Sequence, residues 1–119
     1  GVAEELCFRG WLLGALHRAS GARWAIAASS LAFGLFHFDP VHAGLTAALG
    51  AVLAVSVVRT GALGPAILAH ALNNAVAVLG AGARSSAASV VLVTVLGLGL
   101  FAWGMRGFCA KGDAAPGAF

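Results

Sequence analysis

Apolar residues fill this chain in five long stretches, separated by short polar or Gly/Pro breaks. The first runs through Gly1 to about Leu16 and gives way to the polar stretch at residues 17–23. The second covers residues 24–38 and stops at Asp39-Pro40, because proline cannot continue a helix. The third spans residues 41–58 and ends at Arg59-Thr60-Gly61. The fourth starts at Pro65, a favoured first-turn position, and runs to about Gly80. After the break at residues 82–86, a fifth covers residues 87–105, and a Gly/Ala-rich tail follows from Arg106. Each stretch predicts a membrane-spanning helix. The second and fourth are short for a bilayer crossing, which takes about 20 residues. The pattern therefore predicts an all-α, polytopic transmembrane bundle of about five helices, with a core at 1–105 and a frayed tail at 106–119.

Composition supports that class. The 119 residues are 61% hydrophobic and 9% charged, with mean hydropathy +0.96, too little charge to cover a soluble domain of this size. The net charge of +3 comes from basic residues placed singly at helix ends, which suits membrane orientation and not nucleic-acid binding. If the helices alternate direction, Arg18, Arg23, Arg59, Arg106 and Lys111 share one side, the cytoplasmic one by the positive-inside rule. Cys7 and Cys109 form no CxxC pair, so neither a disulfide framework nor a cysteine zinc site is expected. The chain starts at Gly1 with no Met, almost on its first polar motif, and reads as a fragment of a larger bundle lacking upstream helices.

Against this apolar background, Glu4, Glu5, Arg9, His37, His70 and Asn74 stand out. A charged group at bilayer depth costs from roughly 2.5 to over 10 kcal/mol, and such residues mark functional sites by default. Residues at i and i+4 share a helix face. Glu5 and Arg9 form such a pair, with the acid N-terminal in the better orientation for an ion pair. Phe33 and His37 form a second, and His70 and Asn74 a third. Glu4 then points about 100° away from Glu5 and has no partner within its helix. A carboxylate without a cation suits a general base, so Glu4 is expected to do the chemistry, with Glu5 and Arg9 in support. Phe33 by itself reads as a core residue, and His17 and His42, at loop edges, take no role. Gly10-x-x-x-Gly14 offers a close-packing face that says nothing about chemistry.

These residues resemble a known family, the CPBP (CAAX protease and bacteriocin-processing) intramembrane proteases, also called Abi or Rce1-like. Its EExxxR motif is matched by Glu4-Glu5-Leu6-Cys7-Phe8-Arg9, FxxxH by Phe33 to His37, and HxxxN by His70 to Asn74. The Ser29-Ser30 pair and the Thr60-Gly61 turn also look like the family pattern. Each motif is weak alone; the three in order, each on its own apolar helix, are specific. The resemblance covers residues 4–82 and implies a membrane-embedded CAAX-type endopeptidase, in a bacterial inner membrane, acting on membrane-anchored or lipid-modified peptides. It implies catalytic Glu4, His37, His70 and Asn74: Glu4 and His37 would activate water, while His70 and Asn74 would donate to the oxyanion. Glu5, Arg9 and Phe33 would support them. A metal-free glutamate mechanism is favoured, with no cofactor. The residues also permit Zn²⁺ on Glu4, His37 and His70, although no HExxH is present. The expected partners are a peptide or protein substrate and the bilayer, with no nucleic acid. The competing readings are a transporter or ion pathway and a non-catalytic immunity scaffold using the same polar cluster.

Overall fold

The computed structural model describes residues 1–82 and, beyond them, residues 86, 88, 91, 92, 95, 97 and 99. All regular structure among the described residues is helical: α1 (Val2–Glu5), a π-helical segment (Leu6–Leu12), α2 (Leu13–Ser20), α3 (Ala22–Phe36), α4 (Ala43–Thr60) and α5 (Gly64–Gly82). Glu5, Leu6, Leu12 and Leu13 all keep right-handed helical torsions, so α1, the π segment and α2 form one continuous rod. The remainder of the expected fifth helix, the 106–119 tail and Cys109 lie outside the described residues.

The expected breaks have local causes. Gly21 turns the chain between α2 and α3 at φ 79°, a conformation glycine adopts without steric cost. At the α3–α4 loop, Asp39 Oδ1 accepts from the backbone N–H groups of Val41 and His42, at 2.9 and 3.3 Å. Those donors begin α4, which therefore starts at Ala43 and not directly after Pro40. Phe38 takes φ 52° just past α3, a position where glycine is usual. Gly61, also left-handed at φ 66°, ends α4 by donating to the Val57 carbonyl at 2.8 Å.

Leu13, Ala25, Leu49, Leu53, Ala54, Val57 and Ala66 form the buried apolar core, joining α2, α3, α4 and α5. α3 and α4 approach each other closely at Gly34. A Cβ placed on Gly34 would lie 2.7 Å from the Ala43 carbonyl oxygen and 2.9 Å from Ala47 Cβ. The Gly10-x-x-x-Gly14 face is not used in this way. A Cβ on Gly10 would meet the Leu63 side chain at 3.5 Å and one on Gly14 the Arg18 guanidinium at 3.6 Å, both ordinary contacts. Among the described residues one helix, Ala43–Thr60, is long and apolar enough to cross a membrane by length and composition, with mean hydropathy 1.6.

Candidate active site

The polar residues gather where α1, α3 and α5 meet. Glu5 is fully buried, and its Oε1 accepts from Arg9 Nη1 at 3.0 Å, the i,i+4 pair expected from the sequence. Arg9 is 1% exposed and reaches further, since its Nη2 donates to the Gly50 carbonyl on α4 at 3.1 Å. Its guanidinium carbon stands 4.1 Å from the Phe33 ring centroid, a cation–π contact in a desolvated setting. Arg9 sits inside the π segment, where the Leu13 N–H bonds back to the Phe8 carbonyl five residues earlier.

His70 closes the cluster from α5. Its Nδ1 lies 2.7 Å from Glu5 Oε1, a hydrogen bond spanning 65 residues of sequence. The oxygen that accepts from Arg9 also accepts here, so Nδ1 carries the proton and donates. His37 is anchored in the same way within its own helix, with Nδ1 donating to the Phe33 carbonyl at 2.8 Å. Both imidazoles therefore direct their other nitrogen elsewhere, and both aim it at Glu4. Glu4 Oε2 lies 3.8 Å from His70 Nε2 and 4.0 Å from His37 Nε2. These separations are too long for direct hydrogen bonds and suit a bridging water.

Exposure divides the two acids. Glu4's side chain is 31% exposed and Glu5's is 0%. Phe33 is more than core: its ring packs edge-on against His37 and His70, at centroid distances of 4.8 and 5.6 Å. Glu4, Glu5, Arg9, Phe33, His37 and His70 are thus brought together. Asn74, one turn beyond His70, is exposed and makes no hydrogen bond to Glu4, His37 or His70 among the described residues. Its amide nitrogen would lie 4.0 Å from a Cβ built on Gly1.

Two features lay beyond sequence reasoning. One is the Glu5–His70 bond, which joins separate helices and has no local spacing to betray it. The other is the Gly50 carbonyl as a third partner of Arg9, for which Gly50 within an apolar helix gave no signal.

In chemical terms, two imidazole nitrogens with free lone pairs and one carboxylate form a donor set that zinc accepts. Among the described residues, however, no three His, Cys, Asp or Glu side chains are grouped closely enough to hold a metal ion. What the arrangement can do unaided is accept a proton from water. Residues 1–76 match the family described as type II CAAX prenyl endopeptidase Rce1-like. No curated protein and no solved structure matches the chain.

Proposed function

The chain belongs to the Rce1-like family of type II CAAX prenyl endopeptidases, and on that premise we propose that it is a glutamate-dependent intramembrane endopeptidase. Its substrates are membrane-associated or lipid-modified peptides or proteins, and its setting is a bacterial inner membrane. The family is one of membrane proteins. A polytopic bundle is supported by large apolar side chains exposed along successive rods, among them Trp11, Trp24, Leu31, Leu45, Leu68 and Leu72. In water these would be a liability, whereas in lipid they are the natural surface.

The observation that carries the reading is the convergence of Glu4, His37 and His70 from three helices to within 4.0 Å. In the proposed reaction Glu4, assisted by His37 Nε2, removes a proton from a water held between them. The resulting hydroxide attacks the scissile carbonyl carbon and generates a tetrahedral oxyanion. The proton then passes to the leaving amine as the C–N bond breaks. His70 and Asn74 donate to the oxyanion. Because Glu5 takes the His70 Nδ1 proton, Nε2 donates to the oxyanion only once it has taken up a proton from solvent, which makes the ring an imidazolium. Glu5 stabilises that charge and fixes the ring, much as a buried carboxylate orients a catalytic histidine elsewhere.

The test is cleavage of a lipidated CAAX-type peptide by the membrane-reconstituted protein. Glu4→Gln should lose about 10²–10⁴ of the rate, and His70→Ala about 10²–10³. His37→Ala should also slow cleavage. If all three variants cut as well as wild type, the assignment is wrong. Each is repeated with a strong chelator; wild-type activity lost on chelation and restored by Zn²⁺ would replace the metal-free version.

A further inference from the structure

We propose that Gly50, on the motif-free helix α4, is a positioning residue that holds both arms of the active site through the missing volume of its side chain. The proposal rests on the reading of Glu4, His37 and His70 as the reacting groups. A Cβ at Gly50 would lie 3.2 Å from Arg9 Nη2, 3.2 Å from Phe33 Cδ1 and 3.3 Å from Ser30 Cα. Each separation is tighter than ordinary carbon contact, and the three neighbours come from two elements, Arg9 from the π segment and Ser30 and Phe33 from α3. Ser30 Cα is helix backbone and yields little, so the displacement falls on Arg9 and Phe33.

Those are the two residues from which the site is hung. Arg9 Nη2 donates to the Gly50 carbonyl, Arg9 Nη1 holds Glu5 Oε1 at 3.0 Å, and Glu5 Oε1 holds His70 Nδ1 at 2.7 Å. Phe33 holds His37 through its carbonyl at 2.8 Å, and its ring contacts His37 and His70. A methyl group at position 50 therefore shifts His70 along one path and His37 along the other, without touching either. Other glycines of the same pair of helices lack this reach. A Cβ on Gly44 would meet nothing within 4 Å, and the nearest atoms to one on Gly34 belong to Ala43 and Ala47, neither of which touches the site.

The test uses the full-length protein in lipid nanodiscs, comparing wild type, Gly50→Ala and Gly44→Ala by two readouts. The first is kinetics on the lipidated peptide. Displacement of the reacting groups by a few tenths of an ångström should cut kcat about 10-fold while KM stays within about 3-fold, and Gly44→Ala should match wild type. The second is the ¹H–¹⁵N imidazole spectrum of His37 and His70, which needs no substrate. Gly50→Ala should shift the signals of one or both rings, and Gly44→Ala neither. Alanine is a better helix former than glycine, so propensity alone leaves stability no lower.

A third arm places Gly50→Ala in a Phe33→Leu background, where the ring edge facing the new methyl is gone. There the substitution should perturb the imidazoles less than it does in wild type. Imidazole signals unchanged in Gly50→Ala would overturn the proposal, as would equal perturbation in the two backgrounds. So would activity that falls only in step with the amount of folded protein. Wild type that cleaves nothing would instead refute the proposed function, and the imidazole arms would still decide the role of Gly50.

Discussion

Replacing Arg9 by Met tests whether the buried charges act as one unit. The substitution keeps an unbranched apolar side chain but removes the cation beside a fully buried carboxylate. Breaking a buried pair from one side costs about 3–5 kcal/mol, because the surviving charge is left without compensation. Two observations place this case near the lower end. His70 still donates to Glu5 Oε1, and only that oxygen is bonded, since Glu5 Oε2 and Arg9 Nε have no hydrogen-bond partner among the described residues. The expected loss is about 3 kcal/mol for Arg9→Met, and about the same for Glu5→Gln, which strands the guanidinium instead. The double variant removes both charges and should lose about 3–4 kcal/mol, not the additive 6, a coupling of about 2–3 kcal/mol. Reversible unfolding in mixed micelles, followed by helix circular dichroism and tryptophan fluorescence, measures all four corners of the cycle. Additive losses would refute the picture of a coupled pair. An Arg9→Met loss below about 1 kcal/mol would show that Arg9 is solvated.

Three further outcomes follow from particular contacts. Gly34→Ala forces a Cβ to within 2.7 Å of the Ala43 carbonyl, so α3 and α4 must part; it should lower stability by about 2 kcal/mol in the same unfolding assay. Phe38→Gly relieves a left-handed residue whose ring is 89% exposed and should raise stability by about 1 kcal/mol; a loss would mean that the ring's contacts outweigh the backbone strain. Asp39 is held below the usual carboxylate range, first by its side-chain hydrogen bond with His42 and then by the backbone donors of His42 and Val41. A depressed folded pKa means that this contribution is complete above the unfolded value of about 3.9 and lost as pH falls through the folded one. The stability gap between wild type and Asp39→Ala should therefore narrow on acidification below about pH 4; a gap that widens would contradict it.

Much of the site could be read from spacing because part of it is local. Glu5 and Arg9 meet along one rod, and Phe33 and His37 meet within one helix, so i,i+4 reasoning reaches both. Spacing fails where the partner lies on another helix. Nothing near Glu5 announces His70, and nothing near Arg9 announces Gly50. The π winding of Leu6–Leu12 was equally hidden, since nothing in the spacing of its residues tells a wider turn from an ordinary helical one. Close helix approach was expected at Gly10 and Gly14 from their small size. It occurs at Gly34 and Gly50 because size permits an approach but the facing helix decides it. The segment ends shifted by about two residues wherever a capping contact, such as Asp39 with Val41 and His42, overrode the apolar pattern.

The two histidine anchors differ in what they fasten. His70 is tied across to Glu5, so α5 and α1 are latched together and the distance from Glu4 to His70 is fixed by that latch. His37 is tied to a carbonyl of its own helix and travels with α3. Between α3 and the α1–π part of the rod the contacts are aromatic and cation–π, Phe8 against Phe33 and Phe36 and Arg9 against Phe33, and such faces can slide. A small outward tilt of α3 would thus lengthen the gap between Glu4 and His37 while sparing every side-chain hydrogen bond described for the site. The protein would idle as an intact fold with a disarmed base and return to work when the helix settles back.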